Sequence, residues 1–377
     1  MDISLYKMDF EDPSIIYFWR GWIEDIGYGN HTTNLEYGRL NGKLKRPKPK
    51  LFAPHSGKQN RSGKEQAEFE LLSKVNKKRD KEGYWDDLAT AKKNPTFLPM
   101  LAKEWAKQKK NVEYPLYGQR KFDGLRCIAK IESDGSVSLT SRNLLKFSNL
   151  DHIRKAIAAL KNVPDDFYFD GELYADPEHL SFQEANGLIR KQTLTQGDAD
   201  RQKHFKYRIY DSYNENQNAP YSDRHKELEN LLNTMPSPYL VLTENFPLYK
   251  EEDVDKMHSQ FIQEGYEGIM LRIPNSPYRV DKRALQLLKK KHHIDTEYEI
   301  IDYKEGTGDD AGTVVWRCIT DDGKPFWVRP KGSQKVRADW FDNGDKHIGS
   351  DLTVRYFELT DDGIPRFPVG VDIRDYE

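Results

Sequence analysis

Cysteine is almost missing from this chain: 377 residues contain only Cys127 and Cys318. The two stand far apart, with no CxxC pair and no histidine cluster beside them, so neither a disulfide framework nor a zinc site is indicated. Long apolar runs are also missing. Nowhere do about 18 apolar residues follow one another, and the stretch from Met1 to Pro13 is acidic rather than apolar. Secretion and membrane spanning are therefore not supported, and a reducing cytoplasm is the expected compartment. Nor is there an excess of one charge. Lys and Arg number 59 against 61 Asp and Glu, a net charge of -2, so any nucleic-acid binding must come from local charge.

What the chain does have is length, 12% aromatic residues and 32% charged ones, which suits a folded, strongly solvated protein of two or three domains. Residues 1–93 read as a small β-rich domain. Short β-like runs such as Ile15-Ile16-Tyr17-Phe18-Trp19 alternate there with turns at Gly27-Tyr28-Gly29 and Gly38. Eight basic residues and no acid fall between Lys43 and Lys64 (Lys43, Lys45, Arg46, Lys48, Lys50, Lys58, Arg61, Lys64). Pro47, Pro49 and Pro54 keep that stretch a loop. Ala67, Leu71, Leu72 and Val75 then predict an amphipathic helix over Glu65 to Glu82, stopped by Gly83, with a linker from Asn94-Pro95.

Residues 94–293 alternate strand-like runs (Cys127 to Ile131, Phe167 to Phe169, Tyr207 to Tyr210, Gly268 to Arg272) with helices over Asp151 to Leu160 and Asp223 to Leu232. This is the texture of an α+β catalytic domain. Residues 294–377 change to short β segments, Tyr298 to Tyr303, Gly312 to Ile319, Phe326 to Val328 and Asp351 to Leu359, which suit a small β-barrel such as an OB-fold.

The most informative stretch is Lys121-Phe122-Asp123-Gly124-Leu125-Arg126, which gathers an amine, an acid, a turn glycine and a cation. A lysine amine is protonated up to a pKa of about 10.4, so as a nucleophile Lys121 needs a built environment. Standing alone, the stretch would be a solvated turn. Four others follow in order: Asp170-Gly171-Glu172-Leu173, Phe205 to Asp211, Glu267-Gly268-Ile269-Met270-Leu271-Arg272, and Leu287-Leu288-Lys289-Lys290-Lys291. Each brings a group that nucleotidyl transfer uses: carboxylates for metal or ribose, an aromatic ring, and cations for phosphate.

This order and spacing resembles the covalent nucleotidyltransferase superfamily of ATP-dependent ligases and messenger-RNA capping enzymes, from about residue 96 onward. Pro99-Met100-Leu101-Ala102 and Arg366-Phe367-Pro368-Val369 resemble the small DNA ligases of phages and large DNA viruses. The resemblance implies a nucleotidyltransferase (adenylation) domain followed by an OB-fold barrel. Lys121 would be the nucleophile that carries AMP, with Asp123 in the same catalytic motif, and Lys289 and Lys291 would contact the α-phosphate. Glu172 would serve ribose or metal, Glu267 the metal, and Tyr210 would stack on adenine, although a core aromatic is a competing reading. Arg126 and Arg142 would hold ribose and the 5'-phosphate of the nick. Gln119 replaces an acid that is common two residues before the lysine, within the adenine site. Arg366 and Arg374 would orient the pyrophosphate. The ending through Asp375 has no following lysine, unlike that of capping enzymes.

Glu36-Tyr37-Gly38-Arg39 and the loop after it are similar to a WGR-type module. Arg39, Lys43, Lys45, Arg46, Lys48 and Lys50 would then touch DNA phosphates, the alternative being a solubilising loop. ATP and Mg2+, or Mn2+ in its place, are the implied cofactors. Nicked double-stranded DNA is the implied partner of a monomer with no membrane and no obligate protein partner. The compartment would be the host cytoplasm for a phage protein, otherwise the site of DNA replication. An RNA ligase, a capping guanylyltransferase and a catalytically inactive nick-binding scaffold are the rival readings.

Overall fold

The computed structural model describes residues 1–54, 61–191, 193–214 and 218–374; Lys58 and Asp375 lie outside them. Contacts divide the chain into two compact units, Met1–Met257 with Met270–Lys289, and His258–Ile269 with Lys290–Glu377. Among the described residues no helix is long and apolar enough to cross a membrane.

The first unit opens with an antiparallel sheet of β1 (Asp2–Met8), β2 (Ile16–Gly27), β3 (Asn30–Arg39) and β4 (Lys50–Phe52), paired in that order. Helix α1 (Gly63–Glu82) lies across it. Ala67, Leu71 and Val75, each four residues from the next, are fully buried on one stripe, and Leu71 and Val75 meet Leu5 and Trp19 of the sheet. Ser62 and Glu65 form a reciprocal capping box at the start of α1, and Gly83 ends it in the left-handed conformation. The basic stretch is thus shorter than the prolines suggest: Lys50 stands on β4 and Lys64 in the first turn of α1. Helix α2 (Leu88–Lys93) follows.

This sheet is packed onto the rest of the first unit. Phe10 meets the rings of Phe97, Tyr168 and Tyr213 edge-on at 5.4–6.0 Å. Lys7 pairs with Asp281 at 2.6 Å and Asp9 with Lys282 at 2.9 Å.

Two five-stranded sheets follow. The chain runs through β5 (Leu101–Glu104), α3 (Trp105–Gln108), β6 (Leu116–Lys121), β7 (Leu125–Ile131), β8 (Val137–Ser141), α4 (Asp151–Ala158), β9 (Tyr168–Tyr174), α5 (Phe182–Arg190), α6 (Gln196–Gln202), β10 (Lys206–Tyr213), α7 (Tyr221–Asn233), β11 (Leu240–Leu242), β12 (Phe246–Leu248), α8 (Glu251–Gln263), β13 (Gly268–Arg272) and β14 (Arg283–Lys291). One sheet has the order β11-β10-β9-β7-β8 and the other β12-β6-β13-β14-β5. Strand alternation explains the layering. Cys127 and Ala129 of β7 point into a core shared with Ile153, Ile157, Leu188 and Leu228 of the helices, whereas Ile128 points the other way, to Leu287 of β14. Arg126, two residues before Ile128, therefore faces the second sheet.

The second unit contains a closed barrel of β15 (Ile294–Glu305), β16 (Val314–Ile319), β17 (Pro325–Pro330), β18 (Asp351–Tyr356) and β19 (Val369–Arg374), in the order β15-β16-β17-β19-β18. Strict alternation in β16 and β17 sends Val314, Trp316, Cys318, Phe326 and Val328 inward. Helix α9 (Gln334–Asp342), absent from the sequence reading, lays Trp340 and Phe341 against this core. Trp316 is the largest side chain buried completely. Trp316→Ala is expected to remove about 3–5 kcal/mol from the unfolding free energy of the barrel, measured by urea unfolding followed by circular dichroism. A loss under about 1 kcal/mol would mean that the barrel core is not organised around this ring.

Candidate active site

Lys121 is the last residue of β6, and the next strand, β7, belongs to the other sheet. The predicted nucleophile thus stands where the chain crosses between sheets. The crossing is held tightly. Phe122 is buried against Tyr174, with ring centroids 5.1 Å apart, and the Arg208 guanidinium lies over its face. A Cβ on Gly124 would come within 2.5 Å of the Leu173 carbonyl oxygen, so only glycine lets the turn lie flat on β9.

Arg126, Glu172 and Tyr210 do come together. Arg126 and Glu172 are direct cross-strand partners on β7 and β9. Glu172 lies within β9, which runs on past the strand-like stretch Phe167 to Phe169 marked in the sequence. The register of β10 against β9 slips between Ile209 and Asp211, a bulge that frees Tyr210 from the ladder. Tyr210 and Asp211 consequently both reach partners on the face toward the second sheet. The Tyr210 hydroxyl donates to Glu172 Oε2 at 3.3 Å.

Below these groups lie buried charges that sequence reasoning missed. Asp211, with no exposed surface, accepts from Arg224 Nε at 2.8 Å and from Arg272 Nη1 at 2.5 Å. Arg272 Nε donates to Gln119 Oε1 at 2.7 Å, and Gln119 Nε2 donates to the Tyr221 hydroxyl at 2.8 Å. Gln119, expected at the adenine site, is thus 1% exposed and tied into this network at both ends of its amide. Asp170 accepts from Arg126 at 2.9 and 2.5 Å and from the Tyr278 hydroxyl at 2.6 Å. Burial pushes the Asp211 carboxyl up, but Arg224 and Arg272 outweigh it and hold the group below the ordinary aspartate value. Three guanidiniums thus face two aspartates here, with the Glu172 carboxylate opposite Arg126 as the third acid. A clue was available in the sequence: an arginine closing the apolar run Ile269-Met270-Leu271 requires a buried acid.

The other predicted residues are placed as follows. Asp123 lies in the turn itself. Lys289 pairs with Glu104 at 3.0 Å in the first unit. In the second unit Lys291 pairs with Glu267 at 2.5 Å. Gly268 lets the two segments touch, because a Cβ there would meet the Lys290 carbonyl oxygen at 2.2 Å. Arg366 is buried, paired with Glu358 and flanked by the rings of Phe357 and Phe367. Arg374, on β19, reaches Glu297 at 3.1 Å. Arg142 is exposed in the turn after β8. Of the basic N-terminal residues, Arg46 pairs with Glu36 at 3.0 Å and Lys50 with Glu70 at 2.8 Å. Arg39, Lys43, Lys45 and Lys48 have no ion pair among the described residues.

No three of His, Cys, Asp or Glu among the described residues form a group that could hold a metal. Taken separately, Glu172 in the first unit and Glu267 in the second each offer a carboxylate, the donor that Mg2+ ordinarily takes from a protein, with phosphate and water supplying the rest.

Residues 99–291 match the family model of the ATP dependent DNA ligase domain, and residues 306–374 that of the DNA ligase OB-like domain. Residues 1–98 lie outside both matches. The chain is 32% identical to a DNA ligase of African swine fever virus over 265 residues, covering 66% of this chain and 60% of the viral protein. It is 31% identical to a DNA ligase of Archaeoglobus fulgidus over 183 residues, 47% of this chain and 32% of the archaeal one. Among solved structures, a Lig E DNA ligase shares the fold with a TM-score of 0.60 at 22% identity, over 74% of this chain and 100% of that one.

Asp211→Asn leaves two buried guanidiniums facing a neutral amide and is expected to cost about 3–5 kcal/mol at pH 7. Because the folded-state pKa is depressed, this stabilisation is present above the unfolded value of about 3.9 and is lost as pH falls through the folded one. Urea unfolding should therefore show the gap between wild type and variant closing in acid. A gap that stays constant down to pH 3 would mean that Asp211 is not charged in the folded protein.

Proposed function

The chain belongs to the ATP-dependent DNA ligase family, and from that premise we propose that it seals nicks in duplex DNA through an AMP adduct on Lys121. The observation that carries the reading is the clamped turn of Lys121 to Gly124 beside Arg126, Glu172 and Tyr210. A rigid crossing between two sheets holds one amine beside a cation, a carboxylate and an aromatic ring, groups that can hold a nucleotide for attack on its phosphate.

In the first step the Lys121 amine, having lost its proton, attacks the α-phosphorus of ATP. A nitrogen–phosphorus bond forms, the bond to the bridging oxygen breaks, and pyrophosphate leaves. Tyr210 would stack on adenine, and Arg126 and Glu172 would hold ribose. Lys289 and Lys291 would turn from Glu104 and Glu267 to the phosphates, and Arg366 and Arg374 would orient the pyrophosphate. In the second step an oxygen of the nick's 5'-phosphate, held by Arg142, attacks the AMP phosphorus, and Lys121 leaves and takes up a proton. In the third the 3'-hydroxyl attacks the activated 5'-phosphate, its proton is lost and AMP departs. Aligning both ends on one duplex makes this last step effectively intramolecular. Glu267 would hold Mg2+, with Glu172 as the alternative metal ligand where it does not serve ribose, and the ion when bound neutralises charge on the phosphates. Arg39, Lys43, Lys45 and Lys48 would add backbone contacts.

Labelled ATP and magnesium should give a labelled chain, Lys121→Ala should remain unlabelled, and nicked DNA should discharge the label into sealed product. A wild-type chain that takes no label would leave a nick-binding scaffold as the better reading. Labelling from GTP alone would favour a capping guanylyltransferase, and discharge by nicked RNA alone an RNA ligase.

A further inference from the structure

Where the N-terminal sheet and α1 meet the turn after β8, a cleft of about 410 Å3 is lined in part by Lys7, Tyr17, Lys77, Lys81, Arg142 and Asp281. Its acids are already engaged. Asp281 is taken by Lys7 at 2.6 Å, and Glu82, also on the wall, by Lys78 at 2.5 Å. Lys77, Lys81 and Arg142 have no ion pair among the described residues and are exposed. Lys77 and Lys81 are four residues apart on α1, a spacing at which like charges repel and weaken a helix unless an anion lies between them. Arg142 is in a similar position. Although the residue as a whole is exposed, partial desolvation of its guanidinium, then Arg126, then Arg283 draw it below the ordinary value, whereas an arginine beside an acid would be raised. Three cations from two parts of the fold thus border one cleft without an acid to neutralise them.

We propose that this cleft binds a backbone phosphate of the duplex, so that α1 extends the DNA contact beyond the nick. The inference rests on the ligase reading, since Arg142 is the wall shared with the 5'-phosphate site. It makes residues 1–93 part of the DNA surface through a helix face, separately from the basic stretch between Lys43 and Lys50. Such a contact is electrostatic and blind to sequence, because lysines on a phosphate read no base edge.

The test is the salt dependence of binding to a nicked duplex, read by fluorescence anisotropy, for wild type and Lys77→Gln/Lys81→Gln, with melting temperatures as the check on folding. Losing one phosphate contact should reduce the slope of log K against log salt by about 1 and weaken binding equally on duplexes of different sequence. An unchanged slope overturns the proposal. If the double variant melts early, Lys81→Gln alone is compared in the same way, and an unchanged slope there overturns it as well. Labelling of the wild-type chain with ATP in the absence of DNA separates the two readings. A wild type that takes no label and binds no nick overturns both, whereas one that labels and binds with the same slope as the variant overturns this proposal alone.

Discussion

The Asp211 carboxylate, with no exposed surface, joins β10 of one sheet, Arg272 of β13 in the other and Arg224 of α7, and through Arg272 it reaches Gln119 on β6. Removing any one charge would leave the others buried without compensation, which is far more costly than never having placed them there. The arrangement therefore fixes the separation and register of the two sheets. Lys121 ends the same strand that carries Gln119, two residues away, so the amine inherits that rigidity.

The bulge at Tyr210 makes the arrangement compatible with a binding face. In an unbroken strand Tyr210 and Asp211 would point to opposite faces. With the register slipped by one, Asp211 pairs with arginines in the layer while Tyr210 remains beside Glu172. The neighbouring Asp170 takes Arg126 and Tyr278, which in turn hold the backbone of Met100 through its carbonyl and its amide. The segment Pro99-Met100-Leu101-Ala102 is thereby anchored at the base of the site.

What was legible in the sequence follows from the range of the interactions concerned. Helix α1 could be read because Ala67, Leu71, Val75 and Gly83 are local signals, and β13 because Gly268 to Arg272 is a bounded apolar run. Helix α9 was missed: its cap at Ser333 is ordinary, but Val336 and Trp340 sit among polar residues in a region of strands. Strand β19 was missed because Gly370 and Asp372 interrupt its alternation, and its place beside β17 and β18 is a property of barrel closure. In the site, Lys121, Arg126, Glu172 and Tyr210 lie within recognisable motifs. The charges beneath them do not announce themselves, because Asp211 finds Arg224 13 residues away and Arg272 61 residues away. The bulge at Tyr210 is a slip of β10 against β9, and register between two strands is not written in the pattern of either one.

The near balance of charge also has a structural meaning. A chain with 59 basic and 61 acidic residues presents no general attraction to a polyanion, so its selectivity for one must come from which cations remain unpaired. Some basic residues that look available in the sequence are neutralised in place, Arg46 by Glu36, Lys50 by Glu70 and Arg79 by Asp86. Exposed pairs of this kind contribute little to stability, but they remove positive charge from surfaces where it would attract nucleic acid indiscriminately. Among the cations without an ion pair, Lys77, Lys81 and Arg142 border one cleft. A phosphate entering it gains attraction that is not offset by displacing an acid, and the attraction is screened within about 10 Å at 0.1 M salt. The local field at that face is therefore one that bulk charge would not reveal.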